Sequence, residues 1–261
     1  LSVQGYTDES SETVELPADI VLVVDTSTSM DEEVSRHPSR NRLDVAKSAA
    51  SNFVRGLLDA SDSVKIGLYD FSGSNRTNVG LSDDEQYLLQ EIEELDMPRI
   101  FGILSGDGTN YDLGLSGAEN ILRDSGQDRQ KFVVFLSDGE PNNGNDGEHT
   151  ARELKNSGVT IFTVGIDISE TGYADRNARE ALEAVSSGED YTYYADVTGD
   201  NDALDAVLAE IRKTIESSVN AGTDAVMTDV INTDYFDLVG QPQGVELNRN
   251  TLTWNIGDIT R

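Results

Sequence analysis

Asp25-Thr26-Ser27-Thr28-Ser29 places one carboxylate and two hydroxyls at alternate positions of a short segment. In an extended loop alternate side chains point the same way, so Asp25, Ser27 and Ser29 can converge on one point. A set of oxygen ligands suits a hard divalent cation, Mg²⁺ first, with Mn²⁺ or Ca²⁺ as alternatives. An Asp and Ser turn capping the next helix is the simpler meaning of the same residues. Two later segments decide between the two meanings. Gly106-Asp107-Gly108-Thr109-Asn110 offers Thr109 as a further hydroxyl, and Ser137-Asp138-Gly139 offers Asp138 as a second carboxylate.

The elements around these residues point them to one place. Asp25 follows the apolar run Ile20-Val21-Leu22-Val23-Val24, and Asp138 follows Phe132-Val133-Val134-Phe135-Leu136. Such runs read as strands buried on both faces of a parallel sheet. Both acids therefore stand at the C-terminal end of a strand, the edge where open α/β sheets place their ligands. Further strands are expected over 64–71, 159–166 and 191–195, and helices over 41–58, 84–95, 112–125, 147–157, 176–186 and 203–218. Strands alternating with helices imply right-handed crossovers and a doubly wound, mostly parallel sheet with helices on both faces.

This arrangement resembles the von Willebrand factor A (vWA) domain and its metal-ion-dependent adhesion site. The Asp-x-Ser-x-Ser loop at Asp25, the Thr109 in a Gly-rich loop and the Asp138 before Gly139 match that family's motif in order. The resemblance covers roughly residues 18–218. It implies a Rossmann-like α/β fold in which Ser27, Ser29 and Thr109 touch the metal. It also implies that Asp25 and Asp138 bind directly or through water. The cation would keep one open position for an acidic side chain of a protein partner. Gly108 and Gly139 are expected to allow tight backbone paths beside it.

Beyond residue 218 the helical period stops. Residues 225–231, 236–239 and 251–256 read as short strands between Gly, Asn, Asp and Pro turns. Residues 1–6 and 13–16 are also strand-like, so the two ends are expected to pair into one small β-sandwich module. The expected division is 1–17 and 219–261 for that module, with the vWA domain at 18–218 between them. The tail resembles β modules of Gram-positive surface adhesins and pilus tip proteins. Members of that group often carry Lys–Asn isopeptide bonds, but no Lys follows Lys213 or precedes Lys47. Such a bond is not expected in this β module.

The net charge is −30, from 49 acidic and 19 basic residues. That argues against nucleic acid or an anionic membrane surface as partner. There is no cysteine, hence no disulfide or thiol chemistry, and no run approaches the roughly 18 apolar residues of a membrane span. A chain that starts at Leu1 without a leader looks like part of a longer protein.

Catalysis is not expected. A serine hydrolase needs a base, and His37 and His149 both read as surface residues. Aspartyl-nucleophile phosphatases want a second carboxylate two residues after the first, where Ser27 stands. Residues 142–148 and 196–202 are rich in side-chain oxygen but lack the spacing of a calcium loop. Asp112 reads as a helix N-cap or an outer group near the metal.

The expected function is a metal-dependent adhesive module of an extracellular protein on a cell wall or pilus. Its partner would be a host or extracellular-matrix protein, with other pilus or surface subunits as further partners. Specificity would then lie in loops 30–40, 72–77, 98–110 and 141–148. The alternatives are an intracellular vWA assembly component of a chelatase or sorting complex and, more remotely, a metal-dependent hydrolase.

Overall fold

The longest apolar runs form strands of eight residues each, and these set the frame of the molecule. The computed structural model describes residues 17–36, 39–75, 77–100, 103–104, 108–142, 144–169, 172–198, 200, 202–219, 225–230, 245–248 and 251–257. Strand β1 (Ala18–Asp25) leads to a 3-10 turn at Thr28–Asp31, then β2 (Glu33–Arg36), β3 (Ser39–Asn41) and helix α1 (Arg42–Ala60). Next come β4 (Val64–Phe71), β5 (Asn78–Ser82), α2 (Glu85–Glu93), β6 (Arg99–Ile100), β7 (Ile103–Leu104) and α3 (Tyr111–Leu122). They are followed by β8 (Gln130–Ser137), α4 (Glu148–Asn156), β9 (Val159–Ile166), α5 (Tyr173–Val185), β10 (Thr192–Ala195) and α6 (Ala203–Val219).

Six strands form one sheet in the order β10-β9-β8-β1-β4-β5. All of its pairings are parallel except β4 with β5. The doubly wound, mostly parallel sheet expected from the sequence is therefore what the chain forms. On one face Val21, Val23, Phe71 and Phe135 pack with Tyr111, Leu115 and Ala118 of α3, Leu154 of α4 and Leu182 of α5. On the other, Ile20, Leu22 and Val24 are equally buried, α1 packs against α2 and β4, and Asn52 donates to Asp205 to join α1 with α6. Both faces are covered, which is why these strands are continuous apolar runs.

The helix starts are set by side chains close in sequence. Asn41 and Asp44 form a reciprocal capping box at α1, and Asn110 accepts from the Leu113 N–H at α3. Strand β5 was not anticipated: Asn78-Val79-Gly80-Leu81-Ser82 has two apolar residues split by a glycine. As a short antiparallel edge strand it needs no long apolar run. Helix α5 starts at Tyr173, three residues before the expected start.

The chain divides into two compact units, of which Pro17–Glu216 is the larger. After α6 the described residues form a separate antiparallel sheet of β11 (Ala225–Val230), β12 (Val245–Asn248) and β13 (Thr251–Gly257), with β13 central. Trp254 lies on β13 between Met227 and Val245 of its neighbours. The expected strands at 1–6, 13–16 and 236–239 lie outside the described residues, and with them the pairing of the two chain ends.

Candidate metal centre

Strand register places the first two acids together. Val24 pairs with Leu136, so Asp25 is level with Ser137 on the adjacent strand. The Ser137 hydroxyl donates to Asp25 Oδ2 at 2.6 Å, and the Ser27 N–H donates to Asp25 Oδ1 at 2.8 Å. Both oxygens of this fully buried carboxylate thus take protein hydrogens. The 3-10 turn after β1 carries Ser29 across to the β8 loop, where its hydroxyl donates to Asp138 Oδ1 at 2.7 Å. Ser27 Oγ and Ser29 Oγ lie 3.0 Å apart. Thr26 points the other way, its N–H and hydroxyl both donating to Phe71 O on β4. The extended loop expected from the sequence ends at Ser27, because Thr28–Asp31 is a 3-10 turn; Thr26 anchors the loop, and the turn rather than strand alternation brings Ser29 beside Ser27.

Thr109 comes to this edge through its backbone. Its carbonyl accepts from the Asn142 N–H at 2.9 Å and its N–H donates to Asn142 Oδ1 at 3.3 Å. Gly108, at φ +75°, leaves room for that Asn142 amide, which a Cβ would overlap. The Tyr111 hydroxyl donates to Gly139 O at 2.8 Å, fixing the first turn of α3 on the Asp138 loop. No hydrogen bond joins the Thr109 hydroxyl to the other four residues among those described. Asp112 is neither the N-cap nor part of this cluster: Asn110 caps α3, and Asp112 accepts from Thr150 at 2.6 Å, tying α3 to α4. His149 is exposed beside Glu153, and His37 lies outside the described residues.

Two buried acids with few positive partners set the electrostatics. Burial, and then the neighbouring Asp138 charge, push the Asp25 carboxyl up to about 7, against the hydrogen bonds from Ser137 and Ser27. Burial likewise raises the Asp138 carboxyl, while Ser29 and Arg42 oppose the rise. A cation placed among these residues would restore both ionised forms.

The donor set fits such an ion. Oxygens side by side on an octahedral Mg²⁺, each at about 2.1 Å, stand about 3.0 Å apart, which is the Ser27–Ser29 separation. Ser29 is exposed whereas Asp25, Ser27 and Thr109 are buried, so the cluster opens to solvent on the Ser29 side. No group of three or more His, Cys, Asp or Glu side chains could hold a metal among the described residues. Any ion here depends on the hydroxyls.

Two residues of this edge were not read from the sequence. Asp167 follows the apolar run of β9 as Asp25 follows that of β1, and that shared position was the signal available. It sits at φ 53° and accepts from the Thr198 N–H and hydroxyl. Arg42, the first residue of α1, donates to Asp138 Oδ2 at 3.0 Å and Asp167 Oδ2 at 3.1 Å.

The sequence model of the von Willebrand factor type A domain matches residues 19–211. The chain belongs to this family. Among curated proteins the vWA chain is 25% identical over 200 residues to the uncharacterised YwmC of Bacillus subtilis, covering 74% of this chain and 85% of that one. It is 26% identical over 217 residues to mouse collagen alpha-4(VI), covering 80% of this chain but 9% of the collagen.

Among solved structures the pilus adhesin SpaC of Lactobacillus rhamnosus GG superposes with a TM-score of 0.62 at 20% identity. That match covers 92% of this chain and 37% of the SpaC chain. Proximal thread matrix protein 1 of the mussel byssus, solved with a zinc-occupied adhesion motif, gives 0.57 at 22% identity, covering 77% and 46%. The chain thus spans less than half of either solved chain. These likenesses establish the fold.

Proposed function

We propose that this vWA domain binds a divalent cation through Ser27, Ser29 and Thr109, with Asp25 and Asp138 as the charged partners that orient the hydroxyls. The bound cation supplies a positive point with a coordination position open to an oxygen of a partner protein. The observation that carries the reading is the joined set of Asp25, Ser27, Ser29 and Asp138 at the C-terminal sheet edge. Because Ser29 gives its hydrogen to Asp138, its remaining lone pair is free to face the cation. Ser137 and the Ser27 N–H hold Asp25 still, so its charge is placed before any ion arrives.

A protein of net charge −30 repels acidic partners over most of its surface. Only beside the cation does the local field reverse, and there an Asp or Glu of the partner is attracted. We read the domain as an adhesive module of an extracellular, cell-surface protein, in keeping with the pilus adhesin and collagen relatives, and not as an enzyme. Mg²⁺ is the ion proposed, with Mn²⁺ and Ca²⁺ as alternatives.

Calorimetric titration of chelator-stripped protein tests this. The parent should show one saturable Mg²⁺ or Mn²⁺ site that Asp25→Ala and Ser27→Ala both lack. Both variants should stay folded in chelator, because the apolar strands do not depend on the ion. A parent without such a site would refute the reading.

A further inference from the structure

Arg42 lies where a cationic side chain is least expected. It is the first residue of α1, the positive end of the helix dipole, where Asp or Glu is favoured and Arg opposed. Its side chain is only 12% exposed. Nothing in helix stability accounts for it, and its partners do. Nη1 donates to Asp138 Oδ2 at 3.0 Å and pairs with Glu32 Oε2 at 2.8 Å, and Nε donates to Asp167 Oδ2 at 3.1 Å. Asp167 is itself fixed by Thr198, and it holds the one positive φ of a non-glycine among the described residues. Such a backbone conformation persists only where its surroundings hold it. A continuous chain of hydrogen bonds therefore links Thr198, Asp167, Arg42, Asp138 and the Ser29 hydroxyl, with Asp167 accepting from Thr198 and Arg42 and Asp138 accepting from Arg42 and Ser29.

We propose that Arg42 is a positioning residue of the cation site: gripped by Asp167, its guanidinium aims Asp138, and through Asp138 the Ser29 hydroxyl, at the point where the cation binds. The inference rests on the metal reading above. A planar fork suits this task, because Nη1 and Nε are two donor points at a fixed separation that reach carboxylates at the ends of β8 and β9 at once, whereas an ammonium offers its donors from a single point. Arg42 does not repel an incoming cation outright, since one guanidinium faces the three carboxylates of Glu32, Asp138 and Asp167. Removing it would leave Asp138 with one oxygen unheld and a second acid close by.

The test is calorimetry with Mg²⁺ and Ca²⁺ on chelator-stripped parent, Arg42→Lys, Arg42→Gln, Asp167→Asn and the Arg42→Gln/Asp167→Asn double variant. Both Arg42 variants should raise the Mg²⁺ Kd about tenfold or more, the usual cost of losing a partner of a metal ligand. Lys should not rescue. Ca²⁺ tolerates irregular geometry where Mg²⁺ does not, so its Kd should rise less; a general loosening of the fold would weaken both ions alike. Asp167→Asn should weaken Mg²⁺ binding, and the double variant should be no worse than Arg42→Gln, because Asp167 acts through Arg42.

Melting temperatures in chelator check folding. If Arg42→Gln does not fold, Arg42→Lys and Asp167→Asn carry the comparison. A parent that binds neither ion overturns the metal reading and this one with it. A parent that binds while the Arg42 variants bind equally well, or while the two losses add, overturns this inference alone.

Discussion

At the scale of single residues the site is organised by where hydrogens point. Asp25 accepts from the Ser137 hydroxyl and the Ser27 N–H, and Asp138 accepts from the Ser29 hydroxyl, which turns the Ser29 hydrogen away from the space it shares with Ser27. The cost is two buried acids side by side. In the metal-free fold the Asp25 carboxyl titrates at about 7, because of burial and then Asp138, while in the unfolded chain it titrates near its ordinary 3.8. Below about pH 4 it is protonated in both states and contributes nothing to the difference. As pH rises from there towards 7, the unfolded chain ionises first, so metal-free stability falls; above 7 the full penalty is present. Asp25→Asn removes this dependence. In chelator, the variant should gain stability on the parent in urea unfolding as pH rises from 4 to 8, and saturating Mg²⁺ should restore the parent alone. Parallel pH profiles for the two proteins would contradict this account. The Asp-x-Ser-x-Ser loop was legible because its members adjoin in sequence. Arg42 was not, since its partners Asp138 and Asp167 lie 96 and 125 residues away and no local pattern marks it.

At the scale of elements, helix α3 and strand β8 bring separate loops to one edge, and glycines let them approach. A Cβ at Gly114 would stand 2.9 Å from the Phe71 ring and one at Gly117 only 2.4 Å from the Tyr69 ring. Alanine is the better helix former by about 1 kcal/mol, yet the rigid rings beneath α3 leave it no space. Gly117→Ala should therefore destabilise the protein by about 1–3 kcal/mol, as overpacking does. Because α3 begins two residues after Thr109, with Asn110 as its cap, it should also weaken Mg²⁺ binding. A more stable variant would mean that Tyr69 moves aside freely. Elements of this kind were largely legible: the runs at 64–71 and 159–166 become β4 and β9 at the expected residues. The failures share one cause, as β5, β6 and β7 are short strands made by pairing with a neighbour and carry little pattern of their own. Asp112 was misplaced for a related reason, since a residue bridging α3 to α4 looks in sequence like any acid in a first helical turn.

At the scale of the whole molecule, charge dominates. A net −30 over 261 residues works against compaction, and added salt should relieve it by shortening the screening length from roughly 30 Å at 0.01 M to about 8 Å at 0.15 M. The melting temperature in chelator should thus rise with NaCl over that range; a flat or falling curve would show that the charges are already balanced locally. The division of the chain into two units has a practical consequence for such experiments. Trp254, the single tryptophan, belongs to β13 of the C-terminal sheet and not to Pro17–Glu216. The aromatic group packed beneath the site is instead Tyr111, Phe71 and Phe135, with ring centroids 4.8 to 6.0 Å apart. Tryptophan emission therefore comes from a residue of the C-terminal sheet, whereas seven of the nine tyrosines belong to Pro17–Glu216. A denaturation curve recorded by tryptophan fluorescence alone would follow a residue outside the unit that carries the site.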